Sequence, residues 1–595
     1  MSVTTETKRG GSWLIETTDA ADVFTPEKLS DEHRLIGQTV DEFVTNEVLP
    51  KLDQLEQKDW DLARKLVRRA GELGLLGVDA PEAYGGVGLD KISSLVVSDH
   101  FSRAASFGAT YGAQVNLAVM PIFLFGTAEQ KQAYLPGLVS GEMVGAYALS
   151  EAGSGSDALG AKASAARQAD GSFVLNGEKM WITNGGLADL FIVFAKVDGE
   201  HFSAFIVERA FPGVSSGKEE HKMGLHGSST TALILQDVKV PAANLLGEVG
   251  KGHKVAFNVL NFGRFKLGAM CTGGAKGAIK EAATYATQRR QFGQPIADFG
   301  AIKYKLAEMV GRTFAIESLL YRTAGLIDSW LEQSPPKPPT DGSTVLAALE
   351  EFAVEASIAK VSGSEVLDYV LDENIQIHGG NGFVRDYPAE GHYRDSRVNR
   401  IFEGTNEINR LLIPGMLVRR AVKGELALIA AARQLQDEIL GGPAAAELSG
   451  DTPLDQELRA TAAFKKVALM VLGTAMQTYG ERLTDEQEVL TSAADIIMDA
   501  YGSESAVLRA LDTDSRKLAA AALQIDTARV FVNDAAGRIE LAARDALAAM
   551  TEGDTLRTML AALRRLLRVT PVNTVVLRRR IAADTTAKGG YPFAG

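Results

Sequence analysis

One carboxylate stands out by its sequence surroundings. Glu403 follows the apolar residues Ile401 and Phe402 and precedes Gly404. A carboxylate in apolar surroundings has its pKa raised towards neutrality, which is the property a general base needs. A solvated glutamate at the end of a helix would have the same local sequence. Taken alone, this stretch favours the ordinary interpretation of a solvated side chain over that of a general base.

Two glycine-rich stretches accompany this carboxylate. Residues 376–383 read Gln-Ile-His-Gly-Gly-Asn-Gly-Phe, and residues 147–157 read Tyr-Ala-Leu-Ser-Glu-Ala-Gly-Ser-Gly-Ser-Asp. Glycine lets a backbone approach a ligand closely, and backbone N–H groups with hydroxyls suit a phosphate or a polar cofactor edge. Such stretches are usually only loops. Their function therefore depends on what stands around them.

These motifs, in this order, resemble the acyl-CoA dehydrogenase family of flavoenzymes, and most closely its very-long-chain branch. The resemblance runs from about residue 29 to about residue 417. It implies α,β-dehydrogenation of a long-chain fatty acyl-CoA to a trans-2-enoyl-CoA in fatty acid β-oxidation. Glu403 would take the α-proton, and FAD would accept the β-hydrogen as hydride. An electron-transferring flavoprotein would then receive the electrons.

The resemblance also implies which residues contact FAD. Some belong to the subunit that holds the flavin, and others reach the FAD of a neighbouring subunit, so we expect a homodimer with a shared cofactor site. The first set is Tyr147, Leu149, Ser150, Ser156, Trp181, Thr183, Thr405 and Glu407. The second set is Arg289, Phe292, Gln376 and Gly380.

The acyl-CoA contacts are implied in the same way. Ser156, Asn261, Arg264 and Gly404 would lie along the CoA arm and the thioester, and arginine suits a phosphate clamp. Ala109, Gly112 and Ala113 are small residues on a helix that lines the acyl pocket in the family, although close helix packing explains them equally. Some members carry their base at the position of Gly263, which leaves Glu403 as the only base of the family type here.

Composition narrows the classes of function. The formal net charge of −13 argues against a general nucleic-acid binder. Cys271 is the only cysteine and the histidines show no HExxH spacing, so we expect no metal site. The N-terminus has no apolar signal core, and no apolar run approaches the ~18 residues that span a bilayer. We expect a cytoplasmic bacterial protein, with a mitochondrial matrix protein that has lost its leader as the alternative. The arginines at 564–568 and 578–580 allow peripheral membrane contact.

The pattern along the chain predicts a mainly α fold with a central β domain. By resemblance this is a helical bundle, a β-barrel and a second helical bundle, followed by an extra C-terminal helical domain. The predicted boundaries are a flexible arm at 1–28, helices at 29–144, the β domain at 145–252, helices at 253–423, a linker at 424–453 and the extra helical domain at 454–595.

Two alternatives remain open at this stage. One is a relative that acts on branched, aromatic or sterol acyl-CoA. The other is a non-dehydrogenase member of the fold that binds nucleic acid through its arginine-rich C-terminal domain. The overall acidity and the intact Glu-Gly-Thr motif count against the second.

Overall fold

The computed structural model of the 595-residue chain describes residues 8–441 and 452–593. It is mainly helical around a central sheet, which confirms the predicted fold class. The helices before the sheet are α1 (Asp31–Phe43), α2 (Leu52–Glu56), α3 (Trp60–Glu72), α4 (Lys91–Phe101), α5 (Ser106–Gln114), α6 (Met120–Phe125) and α7 (Ala128–Val139).

Side-chain caps explain where several of these helices begin. At α1 the Ser30 hydroxyl accepts a hydrogen bond from the His33 N–H, and the His33 ring accepts one from the Ser30 N–H. At α7, Thr127 and Gln130 form the same reciprocal pair. Each such pair satisfies two N–H groups that a helix start leaves without partners.

The stretch Ser106–Phe125 is long and apolar enough to cross a membrane by length and composition. The prediction that no run approaches this length is therefore wrong. Most of the stretch is buried inside the protein, and the core helix of a globular protein passes the same test. A π-helical turn at Val115–Val119 joins α5 to α6 within it.

The central domain is an eight-stranded sheet with the order β6-β7-β3-β2-β4-β5-β8, and β1 pairs in parallel with β4. β6 and β8 stand at the two ends of this hydrogen-bonded path. β4 and β5 are almost wholly buried, as their continuous apolar sequences require. The strands are β1 (Gly145–Ala148), β2 (Ser164–Arg167), β3 (Phe173–Thr183), β4 (Leu190–Val197), β5 (His201–Glu208), β6 (Val214–Glu219), β7 (Thr230–Val240) and β8 (Leu245–Leu246).

Long helices follow the sheet, with a short hairpin between the first two. They are α8 (Gly252–Gln288), β9 (Arg290–Gln291), β10 (Gln294–Pro295), α9 (Gly300–Gln333), α10 (Ser343–Glu351), α11 (Ala353–His378), α12 (Ala389–Ser396) and α13 (Asn406–Val422). Glycines let α8 and α11 touch: a β-carbon on Gly363 would lie 3.0 Å from the Gly268 Cα. This contact brings the middle of α11 close to the part of α8 that carries Arg264.

The remaining helices form the extra C-terminal region. They are α14 (Leu428–Gly441), α15 (Asp455–Tyr479), α16 (Gln487–Ser515), α17 (Ala521–Met550), α18 (Gly553–Leu566) and α19 (Thr574–Lys588). The predicted linker at 424–453 is wrong over 428–441, because α14 is a helix whose Leu428 and Leu435 are buried in the main core. Residues 442–451 of that prediction lie outside the described residues.

The predicted flexible arm is also wrong over residues 8–28, which pack between α11 and the extra helices. Trp13 is buried, its indole N–H donates to Glu355 at 3.1 Å, and its ring centroid lies 4.5 Å from that of Tyr501. Glu27 accepts hydrogen bonds from the buried Arg509 guanidinium at 2.7 and 3.0 Å. The segment lacks helical periodicity but carries an aromatic and a charged anchor, so it is ordered by burial.

Candidate active site

The Glu403 loop joins the turn Arg397–Arg400 to α13. Glu403 and Gly404 both adopt left-handed backbone angles, with φ of 56° and 81°. This is unusual for a glutamate and costs on the order of 1–3 kcal/mol unless the surroundings impose it. Thr405 then starts α13 by accepting a hydrogen bond on its hydroxyl from the Ile408 N–H at 3.2 Å.

Side chains from three helices hold the carbonyl groups of this loop. Arg264 Nε of α8 donates to the Glu403 carbonyl at 3.2 Å. Lys360 Nζ of α11 and Asn409 Nδ2 of α13 both donate to the Gly404 carbonyl, at 2.8 and 2.9 Å. The left-handed conformation is therefore fixed from outside the loop.

Glu403 is half-buried, and one of its carboxylate oxygens is out of reach of solvent. Burial raises the pKa of Glu403 to about 7, against the lowering effect of Lys360 and Arg264. Within the described chain its Oε2 is inaccessible to solvent and has no hydrogen-bond partner. A buried carboxylate oxygen without a partner is costly in a folded protein and points to a function. The electrostatic expectation for a general base is thus met at this residue.

The predicted acyl-CoA contacts Asn261 and Arg264 lie beside the carboxylate. Arg264 is 5% exposed, and its Nη1 donates to the Asn261 side-chain oxygen at 2.9 Å. Burial lowers the pKa of Arg264 to about 10, and Glu403 opposes this shift. Tyr147 of β1 is close enough for the Glu403 charge to add to the effect of burial in raising the pKa of its phenol. These residues form one group with Gly404.

The 147–157 loop is anchored by a buried ion pair that the sequence analysis did not single out. Lys179 of β3 is fully buried and donates to Glu151 at 2.6 Å and to the Leu149 carbonyl at 3.2 Å. Glu151 also accepts the backbone N–H groups of residues 162 and 163. Burial would raise the pKa of Glu151, but these hydrogen bonds lower it overall. The anchor leaves Leu149 and Ser150 half-buried and Ser156 exposed.

Trp181 and Thr183 lie at an irregular point of β3. The register of β3 against β7 shifts between Lys179 and Ile182, and Trp181 in this bulge has a φ of 58°. Its side chain is 57% exposed, which is unusual for a tryptophan on a central strand. Thr183 is half-buried beside it. A bulge redirects side chains, so it presents an aromatic face that the regular strand would bury.

The small residues of α5 are placed next to this group through Asn184. The Asn184 amide donates to the Thr110 and Gly145 carbonyls at 3.1 and 3.2 Å, which ties the end of β3 to α5 and β1. Ala109 and Gly112 are half-buried on α5, whereas Ala113 is 4% exposed. A β-carbon on Gly112 would meet only the Asn116 amide, at 3.8 Å, among the described atoms.

The remaining predicted FAD contacts form a separate group at the far ends of α8 and α11. Arg289 and Phe292 follow α8, and Gln376 and Gly380 lie at and after the end of α11. A stacked Tyr285–His378 pair, 4.1 Å between centroids, joins the two helix ends. Phe292 is 95% exposed with a φ of 50°, and nearby Phe383 is 88% exposed.

The separation between the two groups is large. Arg289 follows Arg264 by 25 residues of chain, nearly all within α8, which corresponds to roughly 37 Å along the helix axis. The structure therefore brings Tyr147, Arg264 and Glu403 together but not Arg289 or Gln376. Glu407 is exposed in the first turn of α13 and lies with the Glu403 group.

Two residues of the site, Lys360 and Asn409, were not predicted from the sequence, and only Lys360 carried a signal. Lys360 stands in the run Ala-Ser-Ile-Ala-Lys-Val, where a lone charge on an apolar helix indicates a buried partner. Asn409, one turn into α13, carried no such signal. Within the described residues no cluster of three or more His, Cys, Asp or Glu side chains is arranged to hold a metal ion.

Comparisons with known proteins bear on this arrangement. The acyl-CoA dehydrogenase N-terminal, middle and C-terminal domain families match residues 30–142, 146–238 and 250–416. A further family, also described as an acyl-CoA dehydrogenase C-terminal domain, matches residues 463–565. The chain belongs to the acyl-CoA dehydrogenase family. The sequence-based recognition of the family is thus confirmed.

Relatives and solved structures of acyl-CoA dehydrogenases extend the match over nearly the whole chain. A probable acyl-CoA dehydrogenase of Bacillus subtilis is 49% identical over 580 residues, 97% of each chain. A crystal structure of an acyl-CoA dehydrogenase complexed with FAD from Bacillus anthracis is 51% identical, with a TM-score of 0.96 over 98% of this chain and 100% of that chain. The very long-chain specific mitochondrial enzyme of Macaca fascicularis is 43% identical over 353 residues, 58% of this chain and 51% of that enzyme.

The basic C-terminal end offers less free charge than its sequence indicated. Arg578 is buried and pairs with Glu308 and Asp534, and Arg580 pairs with Asp526 at 2.7 Å. An arginine held by carboxylates of its own chain contributes little attraction to an anionic surface. These pairs favour the simpler interpretation of that run as ordinary helix charges.

Proposed function

We propose that this chain is an FAD-dependent dehydrogenase of fatty acyl-CoA, with Glu403 as the base that removes the α-proton. The observation that carries the proposal is the Glu403 carboxylate itself, with a pKa of about 7 and a buried oxygen without a partner in the described chain. A base with a pKa near the working pH combines a large ionised fraction with a strong tendency to take a proton.

The described surroundings fit FAD. Trp181 presents an exposed aromatic face beside Thr183. The planar ring system of a flavin can stack on such a face. A β-carbon added at Gly153 or Gly155 would meet no described atom within 4 Å, so this loop has room for a ligand. Tyr147, Leu149, Ser150, Ser156, Thr405 and Glu407 would complete the set from the same subunit.

This chain's own residues perform the proton chemistry. FAD, when bound, supplies a two-electron acceptor for the hydrogen that leaves the β-carbon. Glu403 takes the α-proton, and the fixed loop keeps its carboxylate in place before the substrate arrives, which lowers the entropic cost of reaction. Arg264 and Asn261 would bind the CoA arm, and Arg264 also keeps the Glu403 carbonyl from moving.

We include a homodimer with a shared cofactor site in the proposal. Arg289 lies roughly 37 Å along the axis of α8 from Arg264, the residue that contacts the Glu403 carbonyl. Phe292 follows Arg289, and Gln376 and Gly380 lie at the end of α11 that Tyr285 and His378 join to this end of α8. We infer that these residues are too distant to complete the same FAD site. Phe292 and Phe383 are large apolar side chains that are exposed to solvent in the single chain, and exposed apolar side chains of this size mark surfaces that bind a partner. A second copy of the chain, whose FAD they would contact, explains both observations.

The acyl chain is proposed to be long. An added β-carbon at Gly112 would meet only the Asn116 amide among the described atoms, and Ala109 is half-buried on the same helix. Larger side chains at these two positions would close the pocket that we propose there. A role in fatty acid β-oxidation in the bacterial cytoplasm, with an electron-transferring flavoprotein as electron acceptor, rests on the family membership.

Anaerobic mixing of the purified FAD-loaded protein with palmitoyl-CoA, hexanoyl-CoA and isovaleryl-CoA tests the proposal. We expect the flavin to bleach fastest with palmitoyl-CoA, and the variant Glu403→Gln to bind FAD but bleach roughly 100- to 10,000-fold more slowly. Glu200→Gln, an exposed glutamate in the β4–β5 hairpin, is the matched control.

Each outcome has a distinct meaning. Bleaching only by hexanoyl-CoA or isovaleryl-CoA would keep the dehydrogenase and remove the long-chain assignment. Near-normal bleaching in Glu403→Gln would remove Glu403 as the base. No bleaching by any of the three, with FAD bound, would contradict the proposed substrate class.

A further inference from the structure

Lys360 is a charged side chain in the core of the protein, beneath the Glu403 loop. The residue is fully buried, and its Nζ donates to the Gly404 carbonyl at 2.8 Å and to Asn406 Oδ1 at 2.7 Å. An ammonium group taken out of water is costly unless hydrogen bonds and charges compensate it. Neither a helix contact nor the packing of α8 on α11 requires a charge at this point.

The loop that Lys360 contacts is the strained one. A left-handed glutamate persists only where neighbouring groups over-determine the backbone. Lys360 and Asn409 both donate hydrogen bonds to the Gly404 carbonyl, which comes directly after Glu403 in the chain. Of these two donors, only Lys360 carries a charge, so its hydrogen bond is the stronger.

We propose that Lys360 is a positioning residue for the base: it fixes the Gly404 carbonyl, and its ammonium charge keeps the Glu403 carboxylate ionised and ready to accept a proton. This inference rests on the proposed function, because it assumes that Glu403 acts as the base. It assigns Lys360 no contact with substrate or cofactor.

The charges around the carboxylate support this role. Burial raises the pKa of Glu403, and Lys360 is the largest influence that opposes it, ahead of Arg264. Burial also lowers the pKa of Lys360 to about 8, with Glu403 as the main opposing charge. The other titratable groups that interact with this pair are Cys271 and Arg264 on α8, Tyr147 on β1, Glu365 on α11 and Glu407 on α13.

Lys360 is itself held by a polar network that reaches the extra C-terminal helices. Asn406 donates to Glu365 at 3.0 Å, and Glu365 accepts hydrogen bonds from Arg410. Arg410 in turn donates to Asp495 of α16 at 2.8 Å. The orientation of Asn406, and so of the ammonium group, is fixed by groups outside the active site.

The test compares variants of the FAD-loaded protein. Lys360→Met removes the charge and the hydrogen bond, and Lys360→Gln removes only the charge. We expect the maximum rate of flavin bleaching to fall roughly 100-fold in Lys360→Met, with little change in the substrate concentration at half-maximal rate. In both variants the acid limb of the pH–rate profile should move to higher pH, because Glu403 stays protonated further up the pH scale.

A second readout does not depend on activity. Infrared titration without substrate follows the C=O stretch of the protonated carboxyl group, which the Glu403→Gln variant assigns to Glu403. We expect the midpoint of this titration to rise in Lys360→Met and Lys360→Gln. Lys360→Arg, which keeps the charge, should leave the midpoint near its wild-type position even where its rate falls.

Lys266→Met is the matched control. Lys266 is a buried lysine of α8 that bonds to Ser94 and pairs with Asp79, outside the active site. The Lys266→Met variant should lose thermal stability without shifting the acid limb of the pH–rate profile or the infrared midpoint. A uniform loss of rate at all pH values with an unchanged infrared midpoint in both neutral variants would overturn the proposal and leave Lys360 a structural residue. Wild-type rates in Glu403→Gln would instead overturn the proposed function.

Should Lys360→Met fail to fold, Lys360→Gln carries the test alone, since it keeps a donor for the Gly404 carbonyl. A raised infrared midpoint in that variant supports the proposal. An unchanged midpoint contradicts it.

Discussion

Gly263 of α8 lies directly against the Glu403 carboxylate. A β-carbon on Gly263 would come within 2.7 Å of Glu403 Oε1 and within 2.9 Å of the carboxyl carbon. These distances are shorter than a carbon atom tolerates, so the absence of a side chain at position 263 is what gives the Glu403 carboxylate its place. A side chain at position 263 and the present position of the Glu403 carboxylate exclude each other.

Gly263→Ala should move the carboxylate and slow the chemistry. We expect roughly 100-fold slower flavin bleaching with FAD content unchanged, because the new methyl group displaces the reacting oxygen by a fraction of its own size. Gly277→Ala is the matched control on the same helix, where an added β-carbon meets no described atom within 4 Å. Equal rates in the two variants would contradict the role assigned to Gly263.

The ionisation of Glu403 should affect stability in a defined pH window. Its pKa rises from 4.5 to about 7 on folding, so the folded chain holds a proton that the unfolded chain has lost between these values. The free energy of unfolding of the wild type therefore carries a penalty that grows as pH rises through this window and is complete above about 7. Glu403→Gln lacks the penalty.

We accordingly expect the thermal midpoint of Glu403→Gln to exceed that of the wild type at pH 8 by more than it does at pH 5, with FAD bound in both. Glu200→Gln supplies the control, since its side chain is exposed. A pH-independent difference between Glu403→Gln and the wild type would show that the carboxylate is not destabilised by burial.

Mixing two inactive variants should restore activity if FAD is shared between subunits. In a mixed dimer of Glu403→Gln with Arg289→Ala, one site has both defects. The other combines an intact base with an intact arginine from the partner. We expect each variant alone to have low activity, Arg289→Ala through loss of FAD, and the unfolded, refolded mixture to recover part of the wild-type rate. A mixture with no more activity than the mean of its parts would contradict the shared site.

The N-terminal segment should contribute directly to stability through its ion pair. Arg509 is fully buried and is neutralised by Glu27 and by Glu317, at 2.7 and 2.6 Å. Glu27→Gln leaves this guanidinium with one carboxylate and should lower the free energy of unfolding by about 3 kcal/mol, measured by urea denaturation. Glu42→Gln on the exposed side of α1 is the control, and an equal change in both variants would refute the assignment.

Local motifs were sufficient to predict the fold class and the candidate base. Both depend on short stretches in which residue types and their spacing indicate the function. Glu403 between an apolar pair and a glycine is such a stretch. Lys360 and Lys179 were not predicted as parts of the site, since what they do depends on partners 44 and 28 positions away. The lone charge of Lys360 on an apolar helix indicates a buried partner, but the identity of that partner is set by packing, which no local pattern encodes.

The N-terminal segment illustrates the other limit. Residues 8–28 have neither a helical nor a strand period, and such a stretch is typical of a flexible arm. Its order comes from two anchors, Trp13 and Glu27, whose binding surfaces are built by α11 and α16. The order of this segment is a property of the tertiary structure, so the hydrophobic periodicity of the sequence could not predict it.

That segment also constrains how the protein is made. Glu27 and Arg509 are 482 positions apart, and ribosomes add about 5–20 residues per second, so synthesis reaches Arg509 roughly 25 to 95 seconds after Glu27. Through that interval the nascent chain carries Trp13 without the α16 side of its binding surface, to which Tyr501 belongs. Residues 8–28 can therefore reach their final place only after nearly all of α16 has been synthesised.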